Sequence, residues 1–327
     1  MRKPQYLVLT NSEDRLYGHI PLVAKHMDSK LLVIDPAPAI VGGKGLTYAV
    51  GRNGPICEYE DNRLDAVVAV WDRRPTRPSL DMVKEVDPAF QQYARDAIRK
   101  LSQQIFVQFP DALWVSDRFA VERAELKSVQ LATAQRLGFN VPTTLMTSDP
   151  KRAQRFIQSR SATIIKPLGN DGVVLQDESY LLFMAKKITP ETPLDFANMK
   201  FGPVILQQAI EPRHDLRITV VGEQCFTAVV AADAEKDVPG NIRDWHVGHH
   251  VGNLHIETYD LPNKIEQQCV NLVHELGCQF GAIDMIVDTQ GKYWFIEDNP
   301  SGQWAFVELA TKQPIGKAMA DLLLSAL

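Results

Sequence analysis

The chain has 327 residues, of which 45% are hydrophobic and 23% are charged, and its formal net charge is −5. This composition is typical of a globular protein of two or three compact units, and it excludes a fibrous or disordered chain. The balance of 35 basic against 40 acidic residues argues against a nucleic-acid partner, because a large nucleic-acid interface needs clustered Lys and Arg.

Apolar segments and cysteines indicate where the protein resides. No segment approaches the roughly 20 apolar residues that span a bilayer, and the apolar stretch at 6–9 is too short for a signal-peptide core. Cys57, Cys225, Cys269 and Cys278 form neither a CxxC pair nor a zinc-like spacing. We therefore expect a cytoplasmic protein with free thiols and no membrane partner.

The first third of the chain alternates strand-like and helix-like segments. Apolar runs of strand length occupy 6–10, 31–34 and 66–71, and a stretch of helical composition follows at 87–101. This alternation predicts an α/β unit with a mainly parallel sheet. We place this first unit at residues 1–118.

The next segments predict a change of architecture. Helical spacing continues over 120–137 and ends at Gly138, a natural helix cap. Asp149 and Pro150 are typical of a helix start, and the strand at 163–165 follows.

A surface linker is predicted at 189–193. After it we expect, in chain order, strands at 204–208, 216–221 and 225–231, a helix at 263–276, a hairpin at 281–299 and a final helix. This strand-rich part has α+β character. We divide the remainder of the chain into units at 119–190 and 191–327.

The hairpin carries a pattern of metal ligands. Asp284 stands in an otherwise apolar strand, where a carboxylate is costly unless it is paired or bound to a cation. Glu297 and Asn299 share one strand face. With a turn centred on 289–290, Asp284 lies opposite Phe295, and Glu297 is its diagonal neighbour at about 7–8 Å. Such oxygen ligands suit Mg²⁺. The alternative is a hairpin with one hydrogen-bonded Asp and two solvated side chains.

Two lysines are candidates for phosphate binding. Lys166 follows an apolar strand and precedes a loop that contains Gly169 and Gly172. Backbone N–H groups of such a loop can fold over phosphates, and the lysine adds a point charge. Lys127 lies in the predicted helix. The alternatives are a lysine before an ordinary glycine turn and a solvated helix lysine.

The strand end at 207–211 is a candidate nucleotide link. Its residues are Gln207, Gln208, Ala209, Ile210 and Glu211. An extended link offers backbone N–H and C=O groups to an adenine edge, and the Glu211 carboxylate can accept bonds from ribose hydroxyls. A plain strand-to-loop connection is the alternative.

The following strand carries an acidic and a positively charged side chain on one face. Asp215, Arg217 and Thr219 alternate with apolar residues. An Arg aimed into a phosphate site binds a transferring phosphoryl group through two parallel N–H bonds. The alternative is a surface Asp–Arg pair on an edge strand.

The order of these features resembles the ATP-grasp superfamily, which includes D-alanine–D-alanine ligase and glutathione synthetase. The resemblance covers residues 115–310 and implies ATP and Mg²⁺ as cofactors. It also implies a Rossmann-like preATP-grasp domain in the part of the chain that precedes these residues. The residues to which it assigns ATP or magnesium are Lys127, Lys166, Gln207, Gln208, Ala209, Ile210, Glu211, Asp284, Glu297 and Asn299.

A closer resemblance covers almost the whole chain. The segments 69–74 (AVWDRR), 215–224 (DLRITVVGEQ) and 281–287 (GAIDMIV) resemble the microviridin-type peptide macrocyclases, or graspetide synthetases. This resemblance implies a ribosomal precursor peptide, with leader and core, as partner and a homodimeric enzyme. Such enzymes activate Asp or Glu side chains and join them to Ser or Thr hydroxyls as esters, or to Lys amines as amides.

One segment departs from that family. The sequence Asp244-Trp245-His246 has His where Arg is usual, and His249, His250 and His255 lie nearby. A zinc site, a general base and a solvated loop remain open for these histidines.

We therefore predict an ADP-forming carboxylate ligase that works through an acyl phosphate. Arg217 would hold the phosphoryl group, and Asp215 would be the base for the acceptor. Two alternatives are another ATP-grasp ligase, acting on a small acid or a protein tail, and a non-catalytic nucleotide-binding or leader-binding partner.

Overall fold

The computed structural model of this chain describes residues 3–12, 14, 18–52, 54–60, 62–168, 172–174, 180–183, 185–196, 199–232 and 254–327. In these ranges, none of the helices has the length and apolarity needed to cross a membrane.

The described helices are α1 His19–Ala24, α2 Pro36–Val41, α3 Pro88–Ser102, α4 Arg118–Ala124, α5 Lys127–Arg136, α6 Pro150–Gln158, α7 Asn263–Glu275, α8 Ala305–Thr311 and α9 Ile315–Leu324. The described strands are β1 Gln5–Thr10, β2 Leu31–Ile34, β3 Thr47–Gly51, β4 Gly54–Tyr59, β5 Asn62–Arg63, β6 Val67–Arg74, β7 Leu113–Val115, β8 Thr144–Thr147, β9 Thr163–Pro167, β10 Gly172–Val174, β11 Tyr180–Leu182, β12 Lys186–Ile188, β13 Val204–Gln208, β14 Pro212–Val221, β15 Gln224–Ala232, β16 Leu254–Thr258, β17 Phe280–Asp288 and β18 Tyr293–Asn299.

The N-terminal sheet has the order β2-β1-β6-β7, and all its neighbouring strands are parallel. Both faces of β1 are buried: Tyr6 and Val8 enter one core cluster, and Leu7 and Leu9 enter another. A parallel strand covered on both faces has a continuous apolar sequence. The predicted α/β architecture is therefore confirmed for this part.

A small antiparallel sheet, β3-β4-β5, was not predicted. Four of the five residues of β3 are exposed, so its sequence has no buried face to produce apolar alternation. Without this pattern, the segment is indistinguishable from a loop in the sequence.

The predicted single helix at 120–137 is wrong, because two helices, α4 and α5, occupy this region. Leu126 separates them with an extended backbone at φ −70° and ψ 109°. Buried Gln130 stabilises the break, since its Nε2 donates to the carbonyls of Ala124 and Asp298, both at 2.6 Å. Lys127 is consequently the first residue of α5 and not a mid-helix residue.

The central sheet has the order β12-β9-β13-β8, with antiparallel neighbours. Helix α6 packs on it through Ala153 and Ile157, which meet Leu206 of β13 in one cluster. The predicted start of α6 is confirmed, because Asp149 accepts hydrogen bonds from the N–H groups of Lys151 and Arg152.

The C-terminal sheet has the order β16-β15-β14-β17-β18 and is antiparallel throughout. Residues of β14 alternate: Leu216 and Ile218 pack with helix α7, whereas Arg217 lies opposite Ala228 and Asp284 on neighbouring strands. Ala228 belongs to a core cluster that also holds Trp71 of the N-terminal sheet. The sheet face that carries Arg217 is therefore directed toward the N-terminal part of the chain.

The division of the chain at 1–118, 119–190 and 191–327 stays a prediction. The largest core cluster joins Tyr6 and Val8 of β1 to Met319 and Leu323 of α9. The N-terminal sheet and the final helix therefore share one hydrophobic core.

Candidate active site

The hairpin β17–β18 brings Asp284 and Glu297 directly opposite each other. The predicted pairing of Asp284 with Phe295 is wrong, because Phe295 pairs with Met285. Two features cause the shift. The connection is a three-residue turn that ends in Gly291 at φ 81°, and a β-bulge lies between the Asp284 and Met285 pairs. The bulge brings the two carboxylates closer than a regular ladder would.

Asp284 is held by Arg217 of the neighbouring strand β14. Nη1 of Arg217 donates to Oδ1 of Asp284 at 2.8 Å and to Oδ2 at 3.0 Å, and Nη2 donates to the carbonyl of Gln303 at 2.9 Å. The two residues are buried, at 3% exposed for Arg217 and 6% for Asp284. The guanidinium thus neutralises a carboxylate that its apolar surroundings would otherwise disfavour.

Glu297 is paired with Lys127, whose Nζ lies 2.9 Å from Oε2. Burial by itself would raise the pKa of Glu297, but the charges of Lys127 and Lys166 hold this pKa well below its usual value. Burial likewise opposes the charge of Lys127, yet Glu297 and the nearby acids raise the pKa of Lys127. The pair is therefore ionised at neutral pH.

Asn299 connects the two carboxylates. Its Nδ2 donates to Oδ2 of Asp284 at 3.2 Å and to Oε1 of Glu297 at 3.1 Å. The three predicted magnesium ligands therefore meet around one point on one sheet face. Their role as ligands stays a prediction.

Lys166 lies in β9 opposite Ile205 of β13. Its charge acts on Glu297, which places the two groups in one electrostatic environment. Gly172 begins β10 and pairs with Leu182 of β11. Gly169 lies outside the described residues, so the phosphate-binding role of the glycine loop stays a prediction.

The candidate adenine-binding segment, 207–211, begins at the end of β13. The N–H of Gln208 donates to the carbonyl of Thr143 at 2.8 Å, and Nε2 of Gln207 donates to Oγ1 of Thr144 at 3.0 Å. The chain continues through Ala209 and Ile210 to Glu211.

Glu211 is 70% exposed on its side chain and lies 2.9 Å from Nζ of Lys187. This surface position suits a group that meets a ribose at the edge of a site. The nucleotide roles of Gln207, Gln208, Ala209, Ile210 and Glu211 stay predictions.

Asp215 is half-buried in β14 and lies opposite Ile286 of β17. It occupies the same sheet face as Arg217, two residues along the strand. Its assignment as the base stays a prediction.

The histidine cluster is described only in part. His246, His249 and His250 lie outside the described residues. His255 is in β16, is exposed, and has Nε2 at 2.8 Å from Oε1 of Glu257. Within the described residues, no group of three or more His, Cys, Asp or Glu side chains could hold a metal ion.

A buried polar network beside the site was not identified as functional from the sequence. Arg73 is 2% exposed and lies 3.1 Å from Asp14, and its Nη1 donates to the carbonyl of Ser301. His19 accepts from the N–H groups of Trp304 and Ala305 at 3.3 and 3.4 Å. This network fixes the segment after β18 against the N-terminal sheet. The two adjacent arginines at the end of β6 were its only sequence signal.

A cavity of about 660 Å³ adjoins the candidate site. Lys127 and Asn299 contribute to its lining from the site, and Arg73, Arg74 and Arg118 contribute from the N-terminal part. The carboxylate and lysine cluster is therefore accessible from a basic space.

Solved structures provide the comparison with known proteins, since no protein-family model and no curated protein matches this sequence. The chain is similar to the macrocyclase MdnC of Microcystis aeruginosa MRC, solved with its precursor peptide MdnA. The two chains are 28% identical, with a TM-score of 0.80 and coverage of 99% of this chain and 100% of that one.

Two further structures share the fold. A RiPP-associated ATP-grasp ligase from Chryseobacterium gregarium, in complex with ADP and with leader and core peptide, is 23% identical with a TM-score of 0.85, covering 99% of this chain and 98% of that one. The D-alanine–D-alanine ligase of Bacillus anthracis, complexed with ATP, is 9% identical with a TM-score of 0.58, covering 100% and 97%.

These similarities show that the chain has the fold of the ATP-grasp ligases. Within this class the chain is similar to the graspetide synthetases, and both the predicted superfamily and the predicted fold are confirmed.

Proposed function

We propose that this protein is an ATP-dependent macrocyclase that links side chains within a ribosomal precursor peptide. The observation that carries the proposal is the convergence of Asp284, Glu297 and Asn299 on one sheet face, together with Lys127 and Arg217. Similarity to MdnC along the whole chain supports the choice of a peptide as substrate.

The side chains of the cluster fit Mg²⁺. Asp284 and Glu297 provide carboxylate oxygens. The Asn299 amide, whose Nδ2 donates to both carboxylates at 3.2 and 3.1 Å, would present its Oδ1 as a third ligand after rotation of the amide group. Hard oxygen ligands and few protein contacts are what Mg²⁺ requires when it is shared with phosphates. Mg²⁺ bound by these residues would neutralise charge on the β- and γ-phosphates of ATP.

The protein's own residues have distinct roles in this proposal. Lys127 and Lys166 bind the phosphates with the backbone of the loop at Gly169 and Gly172, and the link at 207–211 binds adenine and ribose. Arg217 orients the Asp284 carboxylate and stabilises the charge of the acyl phosphate.

The chemistry proceeds in two steps. A side-chain carboxylate oxygen of the peptide attacks the γ-phosphorus, and ADP leaves, so that an acyl phosphate forms. A hydroxyl or amine of the same peptide then attacks the acyl carbon and expels phosphate, while Asp215 accepts the proton of the acceptor. Each ring removes one water from the peptide and converts one ATP to ADP and phosphate.

The proposal includes a homodimer and a cytoplasmic location, both of which rest on the resemblance and the sequence. It also assigns 1–118 to a preATP-grasp domain, and 119–190 and 191–327 to the two ATP-grasp subdomains.

The test is co-expression with a small precursor peptide encoded beside this gene, followed by mass spectrometry of the peptide. We expect the loss of one water per ring, and ADP with phosphate as the nucleotide products in the purified reaction. Asp284→Ala should give unmodified peptide. Release of AMP and pyrophosphate would exclude the acyl-phosphate scheme.

A further inference from the structure

The cavity of about 660 Å³ opens between the end of β6 and the segment that follows β18. We propose that it binds the acidic side chains of the peptide core, and that Arg74 binds the carboxylate that is to be activated. This inference rests on the proposed function, because it assigns the substrate side of the same site. Lys127 and Asn299 in the lining place the bound carboxylate next to the candidate phosphate and metal residues.

Five basic side chains line the cavity, and four of them have a carboxylate partner. The ion pairs are Arg73–Asp14 at 3.1 Å, Arg77–Glu125 at 3.3 Å, Arg118–Asp72 at 2.5 Å and Lys127–Glu297 at 2.9 Å. Arg74 differs from these four, because it forms no ion pair with any carboxylate in the part of the chain that the structure describes. Its charge is therefore available to an anionic ligand.

The orientation of Arg74 suits a bidentate contact. Its Nε–H donates to the carbonyl of Ser301 at 3.1 Å, which leaves the N–H groups of both terminal nitrogens for a ligand. The adjacent Arg73 is buried and already bonded to Ser301 and Asp14, whereas Arg74 is exposed. Ser301 follows Asn299 by two residues, so the Arg74 guanidinium is tied to the end of the ligand-bearing strand.

Such an arginine would lower the electrostatic repulsion between the substrate carboxylate and the phosphates of ATP. A carboxylate must approach the γ-phosphate, and two anions repel each other in a site of low dielectric constant. A fixed guanidinium offsets this repulsion and orients both carboxylate oxygens through parallel N–H bonds. Because the other four basic groups of the lining are paired with carboxylates, the charge that a ligand meets is that of Arg74, which favours an acidic peptide over a neutral one.

Binding of a defined acidic peptide tests the proposal. The probe is fluorescein-labelled hexaglutamate, with hexaglutamine as its neutral counterpart, measured by fluorescence anisotropy in the presence of ADP and Mg²⁺. We expect wild-type protein to prefer hexaglutamate, and Arg74→Gln to weaken this binding about 10- to 100-fold through loss of charged hydrogen bonds. Arg74→Lys should give an intermediate loss, because it keeps the charge but not the fork.

Arg99→Gln is the matched control. Arg99 lies in α3, is exposed, pairs only with Asp96 among the described residues, and is absent from the cavity lining. This variant should bind hexaglutamate as the wild type does. Equal binding by wild type and Arg74→Gln, or equal binding of the two peptides by wild type, would overturn the proposal.

Calorimetric titration with ADP and Mg²⁺ separates this inference from the proposed function. Arg74→Gln should bind ADP with wild-type affinity, since Arg74 is placed on the peptide side of the site. A wild-type protein that binds no ADP would contradict the proposed function, while the hexaglutamate comparison, repeated without nucleotide, would still decide the role of Arg74.

Discussion

Arg217 and Asp284 face each other on the adjacent strands β14 and β17, and one guanidinium nitrogen of Arg217 donates to both carboxylate oxygens of Asp284. Both side chains are almost fully removed from solvent. Each charge is tolerated in the sheet because the other is present. A candidate metal ligand is therefore also a structural counter-ion, and this dual role determines how substitutions there should be interpreted.

Replacement of Asp284 by Asn should reduce both stability and ATP turnover. It leaves the Arg217 charge buried without its counter-ion, and removal of one partner of such a pair costs about 3–5 kcal/mol. Urea unfolding and substrate-dependent ADP release measure the two effects.

A double variant separates stability from activity. Arg217→Met combined with Asp284→Leu removes both charges and should recover much of the stability, while turnover remains absent. Wild-type stability of Asp284→Asn would show that the pair is not buried in solution.

Replacement of Lys166 by Ala should raise the KM for ATP by about 10-fold or more, because a charged hydrogen bond to phosphate is lost. Lys186→Ala is the control, since Lys186 is an exposed residue of the neighbouring strand and pairs in register with Ile165. Steady-state kinetics at varied ATP provides the comparison. Equal KM values for Lys166→Ala and wild type would make Lys166 a structural residue.

Replacement of Gly302 by Ala should disturb the site through packing. A Cβ at Gly302 would clash with Cβ of Ala282 and would lie 2.7 Å from Nη2 of Arg217. Because Ala282 is in a buried strand, we expect a loss of about 1–3 kcal/mol in the free energy of unfolding and lower turnover. Gly202→Ala is the control, since a Cβ there meets no atom within 4 Å. Equal stability of the two variants would contradict the close approach.

Stability should decrease in acid because of His19. Burial, followed by the charges of Arg73 and Arg74, lowers the pKa of His19 to about 2, whereas an unfolded histidine has a pKa of about 6.5. The unfolded chain therefore binds the proton first as the pH falls. The stabilising contribution is complete above pH 6.5 and decreases by about 1.4 kcal/mol per pH unit below it, down to the folded pKa.

The variant His19→Gln tests this dependence. Its Oε1 can accept a backbone N–H in place of Nε2, and it does not titrate. Between pH 7 and pH 5 the wild type should lose about 2 kcal/mol more unfolding free energy than the variant. Parallel pH dependences of the two proteins would show that His19 is accessible to protons in the folded state.

Local sequence patterns were sufficient to predict much of the secondary structure and the N-terminal parallel sheet. The parallel sheet was predictable because its strands β1, β2 and β6 are apolar runs, and the start of α6 because Asp149 and Pro150 are adjacent. The clustering of Asp284, Glu297 and Asn299 was predictable because a lone acid in an apolar strand and two polar residues on one face of the next strand stand out in a hairpin.

Other features had no local signal. The break at Leu126 depends on Gln130, whose bonds reach Asp298 in a distant strand. Strand β3 lacks a buried face, so no periodicity marks it. The pairing of Asp284 with Glu297 depends on a bulge, and one added residue changes every partner beyond it without changing the composition.

The sequence by itself determined the fold class and the kinds of side chain in the site, since both follow from periodicity and from the cost of burying a charge. Tertiary structure decided which charges neutralise one another. Segments far apart in the chain bring Arg217 to Asp284 and Lys127 to Glu297. The same arrangement leaves Arg74 without an acidic partner among the described residues. Electrostatic energy depends on separation and burial in space, and the linear sequence contains neither quantity.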